Sequence, residues 1–378
     1  MTRHDAIIVG GGPAGSSCAR ELVGAGLDVL VVERARFPRH KPCAGWITPT
    51  VFETLGIDPD EYAEGRTLQP IEGFRVRVGG REGCDASFGR TVSYGIRRCE
   101  FDQFLLERSG ARTAMGTPVT RVERTRDRWL VNDDLEAPLL VGAGGHFCPV
   151  AARLSPGAQR GPLVLAQEVE VPLTGAEADR CRTRPTLPSL FFCADLRGYG
   201  WVFRKGAYVN VGFGRQDHDR FADRSRRFVQ WLVSEGEIPA TLPAGWHGHA
   251  YLLWGRPQRP AVADGVILVG DAAGLAAPAS GEGIRTAAES GLLAARTVIG
   301  AAGNYSRDGL EPYRDRLQLR YGPPRAVSGA LSRLADLVQR GLGAHLVGHP
   351  WFARRLLASR FLGGRPGRPS RRTAGPPG

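Results

Sequence analysis

The chain has 378 residues, 42% hydrophobic and 23% charged, with a formal net charge of +12. That balance describes a globular protein with a sizeable core, and no apolar run approaches the ~20 residues of a membrane span. The first strand begins within a few residues of the N-terminus, leaving no room for a secretory leader, so a cytoplasmic protein is expected; seven scattered cysteines with no Cys-x-x-Cys pair indicate neither a disulfide framework nor a metal site.

In chain order, Ile7-Ile8-Val9 reads as a strand, Gly10-Gly11-Gly12-Pro13-Ala14-Gly15 as a tight turn opening a helix that ends near Gly26, and Val29–Val32 as a second strand ending in Glu33. Gly10 permits the turn, Gly12 lets the backbone approach a pyrophosphate, and Gly15 lets the helix pack on the strand. The helix dipole and free N–H groups then face the phosphates. Glu33 is placed to accept hydrogen bonds from a ribose. Strand, turn, helix and acid together specify a dinucleotide site.

Residues 36–49 contain three prolines and no period, a long loop of the kind that carries function. Residues 50–65 read as a short helix and turn, Phe74–Val78 as a half-buried strand, and Ala86–Tyr94 as another strand. A helix opens at Arg98 with Phe101, Phe104 and Leu105 on one face. Residues 118–141 return to strands, ending before Gly142-Ala143-Gly144-Gly145-His146, a further element near the cofactor. From Leu163 to Phe213 the strands Val164–Val171, Leu190–Ala194, Trp201–Arg204 and Tyr208–Phe213 follow one another without long helices, which predicts an antiparallel sheet and a second domain. Tyr199, Trp201 and Phe203 alternate and so share one face.

The segment Gly265–Gly274 returns to the strand-then-glycine form, followed by a helix from about Gly283 to Ile299. Helical stripes (Leu331, Leu334 and Val338, then Trp351, Phe352, Leu356 and Leu357) stand beside arginines through residues 308–361, and the tail after Gly363 is predicted to be disordered. The basic residues are spread along the chain with no helix-turn-helix or basic-aromatic run, so nucleic acid is not an expected partner. Of 50 lysines and arginines only Lys41 and Lys205 are lysines. A compact ammonium differs from a guanidinium in reach, hydration and pKa, and these two fall close to Cys43 and to Trp201. Both are therefore candidate active-site residues.

The opening motif with Glu33, Arg98 heading Arg-x-x-Phe-Asp, and Gly270-Asp271-Ala272-Ala273-Gly274 through Pro278-Ala279-Ser280-Gly281-Glu282-Gly283-Ile284 together resemble FAD-dependent oxidoreductases of the glutathione-reductase-like, para-hydroxybenzoate-hydroxylase-type superfamily. Within it, Lys41-Pro42-Cys43-Ala44-Gly45 and Gly198-Tyr199-Gly200-Trp201-Val202-Phe203 resemble the geranylgeranyl reductase family, including FixC-like dehydrogenases. The likeness spans roughly residues 5–300. It departs at Arg204, where relatives carry proline, at Gly144, where many carry aspartate, and at Gly274, where hydroxylases carry histidine.

The resemblance implies an α/β fold: a Rossmann-type FAD-binding domain from residues 1–70, 95–160 and 260–305, an antiparallel substrate domain from 71–94 and 161–259, and a C-terminal helical region, 306–362, before the tail 363–378. It places Gly10, Gly12, Pro13, Ala14 and Gly15 around the pyrophosphate, Glu33 at the adenosine ribose, and Arg98 toward the phosphates and ribityl chain. It places Asp271 on the ribityl hydroxyls, Gly281, Gly283 and Ile284 at the flavin pyrimidine, and Arg34, Ala44 and Gly45 also at the cofactor. A helix cap for Asp271 and a solvated helix start for Arg98 are the competing structural roles.

Cys43, Lys41, Tyr199 and Trp201 would line the reaction zone, with Trp46, Phe203 and Lys205 as substrate contacts in an apolar cavity. The activity expected is hydride transfer between flavin and a hydrophobic substrate, reducing isoprenoid-type double bonds. Cys43, its thiol tuned by Lys41, either donates the complementing proton or only packs beside the flavin. A flavin monooxygenase or halogenase of secondary metabolism and a FixC-like electron-transfer dehydrogenase are the alternatives. Without a second glycine motif the electron donor is open among NADPH, NADH and a ferredoxin protein partner. The Arg-flanked helix from Pro350 to Leu362 permits peripheral membrane contact.

Overall fold

Ala6–Val9, buried at all four positions, is a central strand of a six-stranded sheet. The order is Val262–Ala263, Val266–Leu268, Leu139–Gly142, Ala6–Val9, Val29–Glu33, Arg112–Met115. All pairings are parallel except the first. Parallel strands covered on both faces read as unbroken apolar runs, which is how Ala6–Val9, Val29–Glu33, Leu139–Gly142 and Val266–Leu268 appear in the sequence, whereas the edge strand Arg112–Met115 is partly exposed. The helices Pro13–Gly24 and Ile284–Ala301 pack on one another because small residues let their backbones meet: a Cβ on Gly291 would lie 2.2 Å from the Ala14 carbonyl oxygen. The computed structural model describes residues 1–80, 82–155, 163–216, 219–241, 245–255, 259–278, 280–323, 349–360 and 362. The stripe at Leu331, Leu334 and Val338, the side chain of Phe352 and the tail after Gly363 lie outside them.

The second sheet has seven strands, ordered His247–Tyr251, Val164–Pro172, Tyr208–Arg215, Gly198–Lys205, Ser189–Phe192, Gly73–Val78, Cys84–Ser87. It is mixed, because Ser189–Phe192 runs parallel to Gly73–Val78 while the other pairs are antiparallel. Tyr199, Trp201 and Phe203 share one face with Phe74 and Leu190. The other face, with Val202, Val209 and Val211, packs under Leu232 of a helix, Phe221–Ser234, that the strand-rich reading of this region did not include. Its arginine-rich sequence hides a single stripe, Phe221, Ser225, Phe228 and Leu232, at helical spacing.

The single strand expected over Ala86–Tyr94 is two strands in different sheets. Cys84–Ser87 ends the seven-stranded sheet, whereas Ser93–Ile96 joins Trp46–Ile47 and Leu68–Ile71 in a three-stranded one. Gly89, at φ +66°, lies between them. A small four-stranded sheet holds Thr2–Arg3 and the strands between residues 122 and 137. Pro350–Arg360 lays Ala353 and Leu357 onto the core beside Phe74 and Phe203. No helix among the described residues is long and apolar enough to cross a membrane.

Candidate active site

A cavity of about 1170 Å3 is lined from both large sheets and from the Arg36–Pro49 loop. Single small-ligand pockets hold roughly 300–1,000 Å3, so this one exceeds that range and can take an extended ligand such as a dinucleotide. At one end stands Gly12, N-cap of the first helix, which carries no side-chain cap and no acid in its first turn. The N–H groups and positive dipole end are left for an anion. Gly10, at φ +112°, turns the chain where a Cβ would collide with the Ala143 carbonyl at 2.5 Å. Glu33 accepts the Gly11 and Ala35 N–H groups at 2.9 and 3.0 Å.

Arg98 grips Asp102 through both carboxylate oxygens, at 2.8 and 2.9 Å, and Arg39 reaches the same carboxylate at 3.1 Å. Two guanidiniums meet one fully buried carboxylate, Arg39 also lying 3.9 Å from Glu33, and fork-shaped guanidinium donors at a cavity wall suit a diphosphate. Gly281 and Gly283 precede Ile284–Ala301, a second helix start with no side-chain cap, and line the same space. The uncapped helix ends, the guanidinium donors and the carboxylate of Glu33 fit FAD.

Between the two ends runs a polar chain. Asp271, in the turn Gly270–Ala273, lies 3.3 Å from His249 Nε2, and His249 Nδ1 lies 3.0 Å from Lys41 Nζ. Burial pushes Lys41 down to about 8; Arg98 and Arg39 act in the same direction against Asp271 and Cys43. Burial likewise lowers His249. For Asp271 burial acts upward, but His249, Lys41 and Arg98 outweigh it and hold the carboxyl below its ordinary value.

The far end is apolar, with Trp46, Phe192, Leu196, Tyr199, Trp201 and Leu356 on the wall. Beneath it, Trp201 donates its indole N–H to Asn210 Oδ1 at 2.8 Å. The Asn210 amide donates to Glu168 at 2.7 Å and to the Cys43 carbonyl at 3.1 Å. His40 meets the same Glu168 at 2.9 Å. The Cys43 sulfur accepts the Gly45 N–H at 3.3 Å. The loop that presents Lys41 and Cys43 is thus pinned to the sheet carrying the aromatics.

Of the residues singled out from sequence, Gly10, Gly12, Pro13, Ala14, Glu33, Arg34, Lys41, Cys43, Ala44, Trp46, Arg98, Tyr199, Trp201, Asp271, Gly281, Gly283 and Ile284 line the cavity. Four do not. Phe203 is 1% exposed, behind Trp46 and Phe74 with ring centroids 5.8 and 6.3 Å away. Lys205 is fully buried, donating to Glu170 at 2.5 Å and to the Ile96 carbonyl at 2.9 Å. Neither touches the space a substrate would fill. Gly45 and Gly15 serve close packing; a Cβ on Gly45 would lie 2.6 Å from Lys205 Nζ. The sequence reading missed His249, Asn210 and Glu168, although a carboxylate or amide inside an apolar strand, as in Val209-Asn210-Val211, is a signal that such a group has a buried partner.

Comparisons with known proteins bear on the family and the fold. The family model described as FAD binding domain matches residues 3–318. The menaquinone reductase of Mycobacterium tuberculosis is 30% identical over 351 residues, which cover 87% of this chain and 83% of the relative. The geranylgeranyl diphosphate reductase of Rhodobacter capsulatus is 29% identical over 79% of this chain and 75% of its own. A solved structure of a geranylgeranyl bacteriochlorophyll reductase-like protein from Thermoplasma acidophilum shares the fold, with a TM-score of 0.74 and 20% identity over 96% of this chain and 97% of that one.

Proposed function

The chain belongs to the FAD binding domain family, as an FAD-dependent oxidoreductase of the geranylgeranyl-reductase type, and we propose that it reduces carbon–carbon double bonds of an isoprenoid-type hydrophobic substrate. The observation that carries this reading is the continuity of the cavity: an aromatic wall around Trp201 opens directly onto Lys41, Cys43 and the dinucleotide end. When bound, FAD supplies the hydride chemistry.

The protein's part follows from its residues. Gly12, Arg98 and Arg39 hold the diphosphate, Glu33 the ribose, and Asp271 with Gly281 and Gly283 the remainder of the cofactor. Trp46, Tyr199, Trp201 and Leu356 exclude water and hold a flat, apolar chain by contact area. Saturating a double bond also requires a proton at the second carbon, and Cys43, fixed through its carbonyl to Asn210, is the thiol on the cavity wall that supplies it.

Reducing equivalents come from a dissociable donor, NADPH, NADH or a ferredoxin. The helix Pro350–Arg360, with Trp351 63% exposed beside Arg355, suits contact with an anionic membrane surface from which a lipid substrate would enter. The test is anaerobic reduction of the FAD-loaded protein followed by stopped-flow reoxidation, once with oxygen and once with a geranylgeranyl lipid. Fast reoxidation by the lipid and slow reaction with oxygen support the reading. A fast oxygen reaction with a transient hydroperoxide spectrum moves the protein to the oxygenases.

A further inference from the structure

We propose that His249 is a positioning residue for Lys41: Asp271 fixes the imidazole tautomer, the free ring nitrogen holds the Lys41 ammonium at the cavity wall, and Lys41 then restores the proton that Cys43 gives up. The proton-return step rests on the reduction proposed above; the positioning does not.

The geometry is a chain of two contacts, 3.3 Å from Asp271 Oδ2 to His249 Nε2 and 3.0 Å from His249 Nδ1 to Lys41 Nζ. A carboxylate only accepts, so Nε2 carries the hydrogen and Nδ1 presents a lone pair. An ammonium only donates, and it is held by that lone pair. The three groups come from an edge strand of one sheet, the turn after a strand of the other, and the loop between them. The contact therefore ties the cofactor end of the cavity to the loop bearing Cys43. The other Asp271 oxygen lies toward Gly283, 3.6 Å from where a Cβ would stand, so one carboxylate faces both the cofactor glycines and the histidine.

The titratable and charged groups facing Lys41 are His249, His146, Asp271, Arg98, Arg39 and Cys43. Burial with two nearby guanidiniums leaves its ammonium close to neutral-pH titration, as a group that gives and regains protons must be. The step is a proton transfer alone. The Cys43 S–H breaks as the substrate C–H forms, a Lys41 N–H breaks as the S–H is remade, and water returns a proton to the Lys41 amine. No electrons move among these groups.

Composition makes the test direct, because the chain has two lysines and Lys205 is fully buried. The rate of acetylation by acetic anhydride at the Lys41 peptide, followed by mass spectrometry across pH on the FAD-loaded protein without substrate, reads one amine. Wild type should show half-titration well below the ordinary lysine value of about 10.5. His249→Leu removes the acceptor but leaves the burial, so half-titration should fall by about one unit. His249→Asn places an acceptor oxygen where Nδ1 stood and should restore it. The alkaline limb of the lipid-dependent reoxidation rate should move with Lys41 in each variant.

A Lys41 titration unchanged within ~0.3 unit in His249→Leu with FAD still bound, or unrestored in His249→Asn, overturns the positioning role. If the titration responds as expected but no isoprenoid lipid reoxidises the protein, the substrate reading fails while the positioning stands.

Discussion

Trp201 and Asn210 stand diagonally across two adjacent strands, the indole N–H of one bonded to the side-chain oxygen of the other at 2.8 Å. The indole is therefore fixed in the cavity wall by a residue whose amide also holds Glu168 and the Cys43 carbonyl. Asn210→Leu leaves a carboxylate that is 1% exposed with His40 but without its amide donor and should cost about 1–3 kcal/mol. Asn210→Asp should cost more, since it sets a third carboxylate beside Glu168 and Glu170. Trp201→Phe, which loses only the indole N–H, should be the mildest. Urea denaturation midpoints and FAD retention check the order; an Asn210→Asp variant as stable as wild type would remove the network from the account.

The sheet around Ala6–Val9 was legible because its signals are local. The glycine turn, the apolar strand before it and Glu33 after it lie within one βαβ unit, and each dictates backbone conformation directly. The aromatic wall was only half legible. Alternation assigns Tyr199, Trp201 and Phe203 to one face, yet cannot say that Trp46 from a short strand distant in sequence stands between Phe203 and the cavity. His249, Asn210 and Glu168 come from three strands that meet only through sheet pairing, so no spacing in the chain announces them. The lysine scarcity pointed to two sites of consequence, but only the fold separates Lys41, on the cavity, from Lys205, locked beneath it.

Lys205 tests that separation. Its ammonium is wholly buried and paired to Glu170, a carboxylate that burial would raise but that Lys205 and Arg97 together hold below its ordinary value. Lys205→Met should destabilise the protein by roughly 3 kcal/mol, because it strands a buried carboxylate; Arg97, 3.2 Å away, keeps the loss at the lower end of the range for broken buried pairs. Lys205→Arg should not rescue it, since Gly45 leaves no room for a planar fork. Both variants should lose stability at every substrate concentration while the Michaelis constant of the remaining folded enzyme stays near wild type. A selective rise in that constant would return Lys205 to the substrate wall.

Two glycines of the helix Ile284–Ala301 should respond in opposite directions to the same change. Alanine gains about 1 kcal/mol over glycine in a helix interior. At Gly300, in the last turn of the helix, the added methyl meets nothing within 4 Å, so Gly300→Ala should raise stability by a fraction of that gain, about 0.5 kcal/mol. At Gly291 it would stand 2.2 Å from the Ala14 carbonyl oxygen, which moves only if the two helices part. Overpacking of this kind costs about 1–3 kcal/mol and outweighs the propensity gain. Gly291→Ala should therefore lower the denaturation midpoint and, because Ala14 belongs to the start of the helix proposed to hold the diphosphate, weaken FAD binding measured by fluorescence quenching.

His146 gives the acid side of the stability profile. It is 2% exposed, and neither ring nitrogen has a hydrogen-bond partner among the described residues. Burial, followed by the charge of Arg259, pushes it down to about 4, against about 6.5 in an unfolded chain. Between those values the unfolded state binds the proton and the folded state does not, so the contribution of His146 to folding stability falls as pH drops from about 6.5 to about 4 and levels off below. His146→Leu removes the titration and the unpartnered nitrogens together. Denaturation midpoints measured with saturating FAD should show the variant gaining on wild type steadily as pH falls through that window and holding a constant lead below it. Parallel curves across the window would mean that the ring finds a partner once the cofactor is bound.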